Sequence, residues 1–249
     1  MARTAAPGDQ KTPAEFTPAV DRFLCVVAHP DDIEYGLSAL VATWTDAGAT
    51  GTYFLLTSGE AGIDSMPPAQ AGPLREREER ASAAVVGVEE VAFAGHPDGN
   101  VVYGLELRRD IARAIRRHRP QVVMTLTHAE RFGNGFPNQA DHRAVGLATL
   151  DAVADAGNRW IFPELVDEGL EPWHVRYLAV SATNAPTYYV DVSAAFERAV
   201  ASLEEHREYL AALPDDYPTP RDLLDGFLRP AGEQVGVDHA LLLDVIDRG

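Results

Sequence analysis

The chain reads as an α/β protein built on a mostly parallel, doubly wound sheet flanked by helices. Three observations point there. Short apolar runs alternate with longer amphipathic segments from Arg22 onward, the pattern of strands joined by crossover helices. The runs end in polar residues, and in open α/β sheets ligands collect beyond the carboxyl ends of the strands. A length of 249 residues with 46% hydrophobic content supports one large domain with a real core.

Taken in order, "RFLCVVA" is a buried strand, and "YGLSALVATWTDAG" is a helix with Leu37, Leu40, Val41 and Trp44 on one face and Gly48 as its stop. "TGTYFLLTSGE" is a second strand, "PLREREERASAAVVGV" a helix entered near Pro73, and "VAF" a short third strand. "GLELRRDIARAIRRHRP" is a helix and "QVVMTLTH" a fourth strand. A glycine-rich loop leads to the helix "DHRAVGLATLDAVADAG", for which Asp141 is the expected N-cap. "VRYLAV" and "TYYVDV" are two further strands, "SAAFERAVASLEEHREYLAAL" an amphipathic helix, and "HALLLDVI" a final helical piece. The expected layout is a mobile arm over residues 1–21, a domain over 22–213, and an extension over 214–249 packed on that domain.

A net charge of −17, from 38 acidic against 21 basic residues, repels a phosphate backbone and argues against nucleic acid or anionic membrane surfaces as partners. Cys25 is the only cysteine, so no internal disulfide forms, and it sits in an apolar run as a small hydrophobe. The first 22 residues lack the apolar stretch of a signal peptide and no run of 18 apolar residues follows, so a cytoplasmic protein without membrane insertion is expected.

The strand ends deliver "HPDD", "TSGEAG", "GHPDG" and "THAERFGNG…NQADH" to one rim. His29 and Asp32 are three apart in a turn, and His142 opens a later helix at the same rim. Two imidazoles and a carboxylate suit catalytic Zn²⁺, and the same set serves Fe(II), so ligand type leaves the metal open. Asp31 stands beside that set as a candidate base for an attacking water. The competing reading is a plain turn in which Asp32 caps the next helix.

These pieces resemble the LmbE/PIG-L family of zinc-dependent N-deacetylases: "AHPDDIEYG", "TSGEAG", "REREERASAAVVGV", "GHPDG", "DHRAVG" and "YYVDVSAAFERAVASLEEHREYL" occur in the family's order. The resemblance implies a Rossmann-like fold, His29, Asp32 and His142 as ligands of Zn²⁺ or another divalent metal, and Asp31 as general base. It also implies Arg75 and Asp98 at a sugar-binding rim. Many members carry a histidine where this chain has Gln139, in "QADH". An amide can donate to an oxyanion but cannot titrate, so Gln139 is expected as an oxyanion donor. Either Asp31 returns the proton to the leaving amine, or His128, which is also placed at the substrate, or His96 does so. Glu60 is expected to shape its loop, and Trp44, Trp160 and Trp173 to pack. The implied activity is removal of an N-acetyl group from an N-acetylglucosamine-type amino sugar or glycoside, with release of acetate, by an enzyme compatible with homo-oligomerisation. The alternatives are an amidase on a larger conjugate, a metal-dependent hydratase, or a non-catalytic metal-bearing binding protein.

Overall fold

In the computed structural model, which describes residues 12–249, strands β1 (Ala14–Glu15), β2 (Arg22–Val27), β3 (Thr50–Leu55), β4 (Glu90–Phe93), β5 (Val122–Leu126), β6 (Tyr177–Ser181), β7 (Tyr188–Asp191) and β8 (Ala240–Asp247) form one sheet. Its order is β1-β7-β8-β6-β5-β2-β3-β4. The pairings are parallel except those of β8, which runs antiparallel to both β6 and β7. The helices are α1 (Asp32–Gly36), α2 (Ser38–Asp46), α3 (Pro68–Val85), α4 (Leu105–His118), α5 (Ala140–Ala156), α6 (Glu164–Asp167), α7 (Phe196–Leu203), α8 (Arg207–Ala211) and α9 (Pro220–Val235).

Strand β2 shows why the sheet is covered on both faces. Phe23, Cys25 and Val27 join a core with α2, α7 and α9, whereas Leu24, Val26 and Ala28 join a second core with α4 and α5. Successive side chains of a strand point to opposite faces, so a fully apolar strand must be sandwiched. From β2 the chain winds outward through β3 to β4, then crosses back to place β5 on the other side of β2. The crevice at such a reversal is the expected ligand position. The segments after β2 and β5 carry His29–Asp32 and Asn138–His142 to it.

Four expectations are corrected. "HALLLDVI" is not a helix but lies mostly within β8, which fills the gap between β6 and β7. A short apolar run fits either state by pattern, and here the open edges of two strands supply its hydrogen-bonding partners. Residues 214–249 therefore belong to the sheet and its cover rather than forming an appended extension. Of the expected arm, residues 1–11 lie outside the described residues, while Ala14–Glu15 pair with β7 and Phe16 is buried in the core. Finally, two expected helices are each broken. The first divides at Leu37 (φ −143°), where Gly36 packs so closely on Leu126 and Ser181 that a side chain there would collide. The other divides between Leu203 and Arg207, because the Glu78 carboxylate accepts from the backbone N–H groups of Glu208 and Tyr209 and starts a new helix there.

Candidate metal centre and active-site cavity

At the end of β2 the chain turns through Asp31, which adopts φ 86°, ψ −24°. A non-glycine residue at positive φ carries strain of about 1–3 kcal/mol and persists only where its surroundings hold it. Asp32 Oδ2 accepts from the backbone N–H groups of Ala28 (3.0 Å) and His29 (2.9 Å), which closes the turn. Its other oxygen, Oδ1, lies 2.9 Å from His142 Nε2. His29 Nδ1 is 3.1 Å from His142 Nε2 and 3.6 Å from Asp32 Oδ2. Three buried groups thus converge on one point. Ligands at about 2.0–2.2 Å from a shared ion stand roughly 2.9–3.6 Å apart, so the three side chains fit a divalent metal.

The far nitrogens of both imidazoles are also held, as ligating histidines require. His29 Nε2 faces Asp98 Oδ1 (3.1 Å) and Asp141 Oδ2 (3.4 Å). His142 Nδ1 lies 3.1 Å from Asn138 Oδ1. The Asn138 amide cannot rotate away, because its Nδ2 donates to the carbonyls of Thr127 (2.8 Å) and Ala129 (2.9 Å). This leaves Nε2 of His142 and Nδ1 of His29 facing each other and the Asp32 carboxylate. Burial alone would strip the proton from His29, but the carboxylates of Asp141, Asp32 and Asp98 outweigh it and push its pKa up to about 12. Without an ion the imidazole therefore keeps a proton at the position where a metal would sit.

Asp31 is buried, and its Oδ2 accepts from Arg75 Nη2 at 2.8 Å. Burial raises its pKa; Arg75 pulls the other way, and the Asp32 charge adds to the rise. A carboxylate lifted in this direction is better matched to taking a proton near neutral pH.

A cavity of about 860 Å³ opens over these residues. Its polar end includes His29, Asp31, Asp32, Arg75, Asp98, Gln139 and His142. Phe132, Phe136, Tyr217, Leu223 and Phe227 line it elsewhere, so the last helix shapes the cavity as well as the core.

The expected site residues fare unequally. Gln139 lines the cavity from the N-cap position of α5. Asp141 is not the cap but sits in the first turn of α5, where its carboxylate accepts from the N–H groups of Gly99 (2.8 Å) and Val101 (3.2 Å) while facing His29. Asp98 lines the cavity, yet its oxygens are engaged by His29 and by the Ala61 N–H (2.8 Å). Arg75 also lines it, with its guanidinium directed onto Asp31 and the Pro30 carbonyl and stacked 4.0 Å from the Tyr209 ring. His128 is exposed and is not among the residues that line the cavity. His96 pairs instead with Asp110 at 3.1 Å. Glu60 shapes its loop by accepting from the Asp98 N–H. Trp160 is 80% exposed rather than packed. Asn138 and the orienting role of Asp141 escaped sequence reading, and the signal that could have found them was the polar density of "NQADH" itself.

A Rossmann-like sheet with a His–Asp–His set that can hold a divalent metal, and a buried aspartate beside it at the switch point, places the chain among LmbE-like α/β enzymes. The chain belongs to the PIG-L (GlcNAc-PI de-N-acetylase) family, whose pattern it matches over residues 24–153. It is 30% identical over 199 residues to the diacetylchitobiose deacetylase of Thermococcus kodakarensis, covering 79% of this chain and 72% of the relative. It is 29% identical to 1D-myo-inositol 2-acetamido-2-deoxy-alpha-D-glucopyranoside deacetylase 2 of Saccharopolyspora erythraea, covering 61% of this chain and 62% of that one. Among solved structures, N,N'-diacetylchitobiose deacetylase from Pyrococcus horikoshii superposes with a TM-score of 0.83 at 24% identity, covering 92% of this chain and 84% of the other. GalB, the 4-carboxy-2-hydroxymuconate hydratase of Pseudomonas putida, has the same fold at TM-score 0.74 and 16% identity, over 92% and 97% of the two chains. The fold by itself therefore does not choose between amide hydrolysis and hydration.

Proposed function

We propose that this chain is a zinc-dependent hydrolase that removes the acetyl group from an N-acetylglucosamine-type amino sugar or its glycoside. The observation that carries this reading is the convergence of His29, Asp32 and His142 beside a buried, arginine-held Asp31 at the polar end of one cavity. The 30% identity to a diacetylchitobiose deacetylase supports the substrate class.

When bound by His29, Asp32 and His142, a divalent ion supplies Lewis-acid polarisation and acidifies water. Asp31 accepts a proton from the water that attacks the amide carbon. Gln139 donates its side-chain N–H to the carbonyl oxygen as negative charge grows there. The C–N bond then breaks, the proton held on Asp31 passes to the leaving nitrogen, and acetate and the free amine separate. That neither His96 nor His128 lines the cavity supports Asp31 as both base and acid. The described helices include none long and apolar enough to cross a membrane.

The test is an acetate-release screen over N-acetylglucosaminides with and without a chelator. Acetate that is stoichiometric with new amine and suppressed by the chelator supports the proposal. No acetate from any N-acetylated amine would end it. Hydration of an unsaturated acid instead would assign the protein to the hydratase chemistry.

A further inference from the structure

Helix α3 does more than supply Arg75. Glu79, one turn further along, is fully buried, and its Oε2 accepts from the backbone N–H of Asp31 at 3.1 Å. Behind it stands His206, also fully buried, with Nε2 3.7 Å from Glu79 Oε2 and 3.5 Å from Glu34 Oε2. The two carboxylates are thereby separated by a cation-capable ring. Glu34 is anchored in turn, because its Oε1 accepts from the Ser82 hydroxyl at 2.7 Å. His206 occupies the break between α7 and α8, the same break that Glu78 caps and from which Tyr209 reaches Arg75. One face of α3 and one interruption of a helix thus grip Asp31 at both its backbone and its carboxylate.

The grip matters because Asp31 sits at positive φ. The local chain would relax from that conformation if its N–H had no acceptor, and the carboxylate would swing with the backbone. We propose that Glu79, with the His206 ring behind it, is a positioning residue that keeps Asp31 in its left-handed conformation with its carboxylate aimed into the cavity. This rests on the assignment of Asp31 as the base. A second cation between Glu34, Glu79 and His206 is a weaker account of the same cluster. Glu34 and Glu79 each already spend one oxygen on a protein donor.

The test uses the metal-loaded full chain and acetate release. Glu79→Leu removes the acceptor, and kcat should fall about 10- to 100-fold, the scale of leaving one buried N–H unsatisfied. KM and metal content should hold. Glu79→Gln can still accept from the Asp31 N–H and should recover most of that loss. In an Asp31→Asn background, Glu79→Leu should cost nothing further, since its effect runs through Asp31. His206→Asn should act in the same sense and be equally silent in that background. A crystal structure of Glu79→Leu should show Asp31 out of the positive-φ region, a readout independent of turnover. A Glu79→Leu enzyme with unchanged kcat, or a further loss in the Asp31→Asn background, would overturn the proposal. So would a second equivalent of metal that disappears with His206→Asn. If Asp31→Asn itself turned over normally, the error would lie in the choice of base instead.

Discussion

Asn138→Leu isolates the support beneath one metal ligand. The wild-type amide is buried and makes three contacts, to the Thr127 and Ala129 carbonyls and to His142 Nδ1. At about 0.5–1.5 kcal/mol net per hydrogen bond, their loss amounts to roughly 1.5–4.5 kcal/mol. That is large against a typical domain stability of about 5–15 kcal/mol, but leaves a folded protein. For a chain of this size a loss near 3 kcal/mol lowers Tm by roughly 6–12 °C. Freed from Asn138, the His142 ring loses its fixed tautomer and orientation, and metal affinity should drop about 10- to 100-fold. Asn138→Asp separates the two effects. Its carboxylate still accepts from His142 Nδ1 but turns an oxygen toward two carbonyls, so it should hold the metal while melting earlier. The assay is zinc competition against a chromophoric chelator, paired with thermal melts of the metal-free protein. Wild-type zinc affinity in Asn138→Leu would refute the reasoning, whatever happened to Tm.

Three further outcomes are expected. Because His29 is protonated without metal and must free Nδ1 to ligate, zinc binding near pH 7.5 should release about one proton, with apparent affinity rising with pH; calorimetry in two buffers of different ionisation enthalpy measures this, and zero release contradicts it. The sign for stability is opposite. The His29 pKa of the folded, metal-free protein is raised to about 12, so its contribution is complete below the ordinary value of 6.5 and lost as pH rises through about 12. Gln139→Ala should lower kcat by about 10²- to 10³-fold with little change in KM, the mark of a donor used chiefly in the transition state; a change confined to KM would make Gln139 a binding residue only. A chain ending at residue 213 should show no cooperative melt, because β7 would lose β8 and keep only the two-residue β1 as a neighbour; a well-folded truncated domain would disprove that.

Much of this protein was legible in its residues alone. The alternation of apolar runs with amphipathic helices specifies the doubly wound sheet, because local periodicity and hydrophobic burial act over a few residues. The polar strand ends likewise pointed to one rim, and "HPDD" with a later "DH" singled out His29, Asp32 and His142, which the fold brings together. What the sequence left open depends on contacts between distant segments. Whether "ALLLDVID" becomes strand or helix is settled by the vacant edges of β6 and β7, which no local pattern encodes. Asn138 looks like a loop residue until two carbonyls orient its amide toward His142, and the pairing of Asp98 with His29 exists only in the fold. His128 follows a strand in the sequence as His29 does, yet it is exposed and does not line the cavity. The helix break at His206 was invisible because the acceptor that caps the next helix, Glu78, lies 130 residues away. Hydrogen bonds and ion pairs between such segments exist only once the sheet has brought them together, so tertiary structure alone could decide them.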